Sequence, residues 1–251
     1  MMNIKTLIAI AIASAALTGC EHINTQMAAQ SGVQAIQAAT LSDADARSLA
    51  NQSCKELDSQ SQIASSKSKY TKRLNKIAKA MGNNINGLPV NYKVYMTDDI
   101  NAFAMANGCI RVYSSLMDMM TDDEIEGVLG HEMGHVALGH SLKAMKVAYG
   151  TIAARTAVAS TSGVAAELSQ TQLADLGEAL INSQFSQHQE SEADDFSYDF
   201  LKKHKLNTLG LATSFEKLAE LDGGRKGSMF DSHPPSTERA QHIRDRIAAD
   251  K

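Results

Sequence analysis

The stretch Thr121-Asp122-Asp123-Glu124-Ile125-Glu126-Gly127-Val128-Leu129-Gly130-His131-Glu132-Met133-Gly134-His135-Val136 decides how the chain is read. Thr121 followed three residues later by Glu124 is a capping box that starts a helix. Ile125, Val128, Leu129 and Val136 then recur at helical spacing as one apolar stripe. His131 and His135 stand about 40° apart on one face of that helix, so both imidazoles can reach a single metal ion while Glu132 points beside it. Glu132 falls inside the apolar stripe, where an ionised carboxylate is strongly disfavoured unless a partner or a metal site compensates it. Gly127, Gly130 and Gly134 cluster on the opposite side. Each costs the helix about 1 kcal/mol against alanine, so another backbone or a substrate is expected to come close there.

Two histidines make an incomplete site: a catalytic zinc takes three protein ligands and leaves its fourth position to water. Ser141 stands six residues after His135, and Gly139 is out of register for a three-histidine pattern, so the third ligand is expected to be a carboxylate. A helix from about Gln184 to Lys203, with Phe185, Ala193, Phe196 and Phe200 as its apolar face, carries two candidates, Glu190 and Glu192. They lie symmetrically about the stripe, and spacing leaves both open.

Outward from these helices the chain reads as one domain behind a leader. With 251 residues, 43% hydrophobic and 21% charged, it can bury a substantial core, and a net charge of -4 argues against a nucleic-acid partner. Three prolines, no tryptophan and alanine-rich periodic stretches favour a mainly helical α+β fold. Lys5 precedes an apolar run from Leu7 to Leu17, too short to span a bilayer comfortably and suited to the core of a secretory signal. The run ends Leu17-Thr18-Gly19-Cys20, which resembles the lipobox of bacterial lipoproteins, with Cys20 as the lipidated first mature residue. Glu21, not aspartate, follows, which by the usual sorting rule points to the outer membrane. The expected division is a signal peptide over 1–19, a lipidated tether over 20–41 and the folded domain over 42–251. With Cys20 lipidated, Cys54 and Cys109 are left as one possible disulfide in an oxidising compartment.

Ser42 reads as the N-cap of a helix running to about Asp58, and a second helix covers Lys69 to Ala80, ended by Gly82-Asn83-Asn84. Val90 to Met96 alternates like a half-buried strand after a turn at Asn86-Gly87. Two short strands flank the Asn107-Gly108 turn, giving a small antiparallel or mixed sheet of about three strands beside the active helix. The edge strand of such a sheet is a candidate to pair with an extended substrate. Residues 141–182 carry Lys143, Lys146 and Arg155, which argues against a membrane span, and read as two amphipathic helices with a break near Ser160-Thr161-Ser162-Gly163.

Taken together, His131 to His135, Glu190-Ser191-Glu192-Ala193-Asp194, the Asn101-Ala102-Phe103-Ala104 and Gly108-Cys109-Ile110 segments, and Ser232-His233-Pro234 with Arg239 resemble the gluzincin metallopeptidases of the HtpX and CAAX prenyl protease family. The resemblance covers nearly all of the chain after the tether. It implies a zincin-type domain with one Zn2+ held by His131, His135 and Glu190, and Asp194 and Arg239 behind the ligands. It further implies Glu132 as general base, His233 as hydrogen-bond donor to the oxyanion, and protein or peptide substrates. The hydrophobic spans of several family members are missing, so membrane-embedded or prenylated substrates are not carried over. The expectation is thus a zinc endopeptidase facing the periplasm and anchored to the outer membrane through Cys20, acting on misfolded or unfolded proteins. The alternative from another class is a zinc-stabilised lipoprotein that binds unfolded clients without cutting them; the retained Glu132 speaks against it, because a structural zinc site needs no base.

Overall fold

The computed structural model describes residues 41–155, 168–220, 232–233 and 237–250. The leader, Cys20, the tether up to residue 40, the break near Ser160 and Pro234 lie outside the described residues. Helix α1 (Asp43–Gln60) starts where Ser42 accepts a hydrogen bond from the Asp45 backbone N–H, and α2 (Lys69–Met81) is capped in the same way by Ser68. Gly82, at φ 87°, ends α2 in a conformation that side-chain-bearing residues rarely adopt. The Asn86-Gly87 turn joins a two-residue hairpin, β1 (Asn84–Ile85) and β2 (Leu88–Pro89).

The main sheet has the order β3-β5-β4, with β3 (Asn91–Tyr95) parallel to β5 (Cys109–Tyr113) and β4 (Ala102–Ala104) antiparallel to it. The expected three-stranded sheet is therefore mixed, and β4 is an edge. Strand alternation sends Val94, Ala102, Ile110 and Val112 to one face, where they pack with Leu74, Ile77, Ile125, Val128, Leu129 and Met133. Tyr95, Phe103 and Cys109 go to the other, against Leu49, Ala50, Cys54 and Leu57 of α1 and Met145 and Tyr149 further on. Both faces are thus covered by helices, which is why β5 is buried along almost its whole length.

After the short α3 (Ser114–Met119), the helix predicted at Thr121 runs as α4 (Asp122–Ala137), and its capping box is formed in both directions. The remaining helices are α5 (His140–Arg155), α6 (Gln170–Ile181), α7 (Gln187–Lys203), α8 (Leu209–Glu220) and α9 (Thr237–Ala249). Helix α7 begins three residues later than the apolar periodicity suggested, because Ser186 and Gln189 form their own capping box. Phe185 therefore lies ahead of the helix and not on its apolar face.

The three glycines of α4 meet other chain segments. A Cβ on Gly127 would stand 2.6 Å from Leu211 Cα, one on Gly130 2.5 Å from Ser197 Oγ, and one on Gly134 3.0 Å from the Ala193 backbone. Of the two possibilities left by the sequence, close approach of other elements is what the structure has: α7 and α8 press against this face, and Ser197 Oγ donates to the Gly127 carbonyl at 2.9 Å. Among the described residues no helix is long and apolar enough to cross a membrane.

Candidate active site

With one face of α4 fixed against α7 and α8, the adjoining side of its last two turns presents His131, Glu132 and His135 to a buried space bounded by the same helix α7 and by His233. All of these side chains are buried, and so are Glu190 and Asp194 on the facing turn of α7. Metal-capable atoms of His131, His135, Glu190 and His233 lie within 4.8 Å of one another. The Nε2 atoms of His131 and His135 approach to 3.1 Å, and Glu190 Oε1 is 3.3 Å from His135 Nε2. Two imidazole nitrogens and a carboxylate oxygen converging in a buried space are a donor set suited to a borderline cation with tetrahedral preferences.

Glu190, and not Glu192, is the carboxylate brought to this group. Glu192 points outward, 3.4 Å from His140 Nε2 and 3.5 Å from His188 Nε2. Asp194 stands behind the ligands, its Oδ1 2.7 Å from His131 Nδ1. Arg239 grips both carboxylates: Nε and Nη2 donate to Asp194 at 2.7 Å each, and Nη1 lies 2.9 Å from Glu190 Oε2. Its guanidinium also covers the Phe215 ring at 4.2 Å, an arrangement that a lysine could not reproduce.

Burial and charge act in opposite directions on these groups. Burial alone would lower the His131 imidazole, but the Asp194 and Glu190 carboxylates prevail and raise it to about 9. Burial pulls His135 well below its ordinary range, Glu190 only partly compensating. Glu190 and Asp194 are both held below the usual carboxylate range: burial would raise them, and their imidazole and guanidinium partners more than offset it. Glu132 is the exception. Burial pushes its carboxyl up against the pull of His233 and His131, the direction that suits a proton acceptor near neutral pH.

Glu132 Oε2 accepts a hydrogen bond from the Ala104 backbone N–H of edge strand β4 at 3.2 Å, whereas the buried Oε1 has no hydrogen-bond partner among the described residues. Beside it, Ala104, Ser141, Phe185 and His233 help to bound a gap of about 20 Å³, enough for one water. On the outer edge of β4 the Ala104 carbonyl accepts from Ser141 Oγ at 3.3 Å. A larger cleft of about 760 Å³ between α5 and α6, bordered by Lys143, Val147, Ile152 and Glu178, meets this region at His140 and Phe185.

Every described residue singled out from the sequence is therefore placed. His131, Glu132, His135, Glu190, Asp194, Arg239 and His233 form one cluster, and Cys54 and Cys109 are joined as a disulfide with a Cα–Cα separation of 6.6 Å. His233 belongs to the converging group itself, its Nδ1 2.9 Å from Glu190 Oε1 and 3.2 Å from His131 Nε2. Two participants were missed: Phe185, whose ring stacks on His135 with centroids 3.9 Å apart, and His140, 3.1 Å from His135. The Ser186-x-x-Gln189 signal would have freed Phe185 from the helix. Nothing local announces His140.

The fold and this cluster define a zincin-type metalloprotease. Comparison with known sequences agrees: the pattern of Peptidase family M48 matches residues 64–247. The chain is 66% identical to Metalloprotease YcaL of Escherichia coli (strain K12), over the full length of both. It is 60% identical to Metalloprotease LoiP of the same organism, over 99% of each. Protease HtpX of Histophilus somni (strain 2336) is 26% identical over 63% of this chain and 66% of its own. The chain belongs to Peptidase family M48.

Proposed function

We propose that the protein is a monozinc endopeptidase of the bacterial envelope that cleaves unfolded or misfolded proteins. The observation that carries this reading is the buried Glu132 carboxylate, whose Oε1 has no hydrogen-bond partner among the described residues and lies 3.6 Å from Nε2 of His233, a member of the converging group His131, His135, Glu190 and His233. A zinc ion there would polarise the scissile carbonyl and lower the pKa of a water molecule towards about 7. Glu132 takes the proton of the attacking water on Oε1 while the Ala104 N–H keeps the carboxylate oriented through Oε2. The same carboxyl then returns the proton to the leaving amine. Asp194, tied to Arg239, fixes the His131 ring so that Nε2 faces the ligand side. His233 donates a hydrogen bond to the oxyanion as charge develops on it. The edge of β4 that no strand pairs with supplies main-chain groups with which an extended substrate can pair once Ser141 releases the Ala104 carbonyl.

The placement of His233 favours a second reading. Four protein donors would close the coordination sphere, as in a structural zinc site, and the protein would then bind unfolded clients without cutting them. Casein hydrolysis by the purified protein separates the two. Cleavage abolished by a chelator and restored by zinc supports the peptidase; stoichiometric zinc with no cleavage supports the binding protein.

The lipobox-like Leu17 to Cys20 and the following Glu21 support anchoring at the outer membrane, facing the periplasm, through lipid on Cys20. Cys20→Ala should move the protein out of the membrane fraction or leave it unprocessed; unchanged fractionation and mass would refute the anchor.

A further inference from the structure

His131 and His135 are supported in different ways, and the difference concerns a residue that has no part in the mechanism above. The Nδ1 of His131 faces a carboxylate, Asp194. The Nδ1 of His135 faces Nδ1 of another imidazole, His140, at 3.1 Å. His140 is buried at the first position of α5, directly after Gly139, whose φ of 79° turns the chain back so that a residue five positions after His135 can point at it. On its far side His140 Nε2 lies 3.4 Å from Glu192 Oε2, and Glu192 is partly exposed.

This contact fixes the proton positions. The Nε2 of His135 is on the ligand side, 3.3 Å from Glu190 Oε1 and 3.1 Å from His131 Nε2, and a nitrogen that binds a metal carries no proton. The proton of His135 must then be on Nδ1. Two facing nitrogens cannot both be donors in neutral rings, so His140 Nδ1 is the acceptor, and the proton of His140 is on Nε2, directed at the Glu192 carboxylate. From Glu192 to the ligand side the hydrogen bonds run in one sense.

We propose that His140 is a positioning residue for the metal site, holding His135 in the tautomer and orientation that present Nε2 to the ion. The proposal rests on the metallopeptidase reading above. It also accounts for Glu192, which lost the competition for the third-ligand role: Glu192 serves the site through two imidazoles in series and not by coordination. The two ligand histidines are in consequence unequal, His131 made more basic by a charged partner and His135 supported by a neutral one.

Zinc affinity of the purified protein, measured by competition with a chromophoric chelator, tests this. His140→Leu keeps an apolar body of similar size but offers no acceptor, and should raise the zinc Kd about 10- to 100-fold, the usual effect of losing a ligand's hydrogen-bond partner. His140→Asn, whose carbonyl oxygen can accept from Nδ1–H, should remain within a few-fold of wild type. Unchanged affinity in the leucine variant overturns the proposal, as does equal weakening in both, which would mean packing alone. A readout that needs no variant is the histidine 15N spectrum of the zinc-loaded wild type: His140 should appear as the Nε2–H tautomer, and an Nδ1–H tautomer refutes the chain of donors. Failure of wild type itself to bind zinc would instead refute the metallopeptidase reading, so the two failures are distinguishable.

Discussion

At the scale of single residues, neighbouring carboxylates take different roles from their surroundings. Glu132 is not among the converging ligand atoms, so Glu132→Gln should retain zinc close to stoichiometry while turnover falls at least about 10²- to 10⁴-fold; retained cleavage at the wild-type rate would sink the general-base assignment. Glu190→Gln should lose zinc severely and Glu192→Gln should bind it nearly as well as wild type, as metal analysis after dialysis would show. Away from the site, Asp58 answers Arg111, the largest fully buried side chain among the described residues: Nε and Nη2 donate to its two oxygens at 2.8 and 2.9 Å, and Lys93 adds a third contact at 2.6 Å. Burial raises the Asp58 carboxyl, but Arg111, Lys93 and Tyr95 prevail and hold it below the ordinary range. A depressed folded pKa means stabilisation that is fully present above the unfolded value of about 3.9 and fades as pH falls through the folded value. Asp58→Asn, which leaves the Arg111 charge buried without its partner, should cost about 3 kcal/mol near pH 7. The difference from wild type should shrink below about pH 4; urea midpoints followed across pH would check both statements.

At the scale of elements, the active helix is held on two sides for different reasons, and the side without chemistry has the smaller tolerance. Gly127→Ala should gain about 1 kcal/mol in helix propensity. It also drives a methyl to 2.6 Å from the Leu211 Cα, and overpacking of that kind costs about 1–3 kcal/mol or more where backbone cannot yield. The expected net result is a lower urea midpoint, and a higher one would show that α8 can retreat. How much was legible follows the same division. Thr121-Glu124, Ser42 and the histidine pair are local patterns, and the elements and the metal-facing side they announce are where the sequence put them. The exclusion of Glu192 depended on which way α7 faces α4, a matter of tertiary packing, and the family resemblance, not periodicity, chose Glu190. Parallel pairing of β3 with β5 across an intervening strand, the contact of Asp58 with Arg111 and that of His140 with His135 join positions whose neighbours in sequence give no hint of them.

At the scale of the molecule, the Cys54–Cys109 bridge ties α1 to the central strand of the sheet. Closing a loop of 55 residues stabilises by about 4 kcal/mol in the chain-entropy model, so reduction should lower the urea midpoint correspondingly, with the secondary structure kept at low denaturant. Two titratable thiols in the unreduced protein would refute the bond. The bridge also bears on the order in which the chain can assemble. The face of α1 formed by Leu49, Ala50 and Leu57 finds its main cover in α6, roughly a hundred residues further along the chain, and Cys109 lies about halfway between them. A chain threaded N-terminus first into an oxidising compartment, as the proposed export requires, presents Cys54 and Cys109 before α6 has arrived. An oxidant there would fasten α1 to β5 while its eventual covering helix has not yet crossed, making the covalent bond a temporary substitute for a packing partner. Export intermediates arrested before residue 170 has crossed should therefore already carry the cross-link, and a chain delivered into a reducing compartment should wait for α6 with an oily helix face that a chaperone could hold.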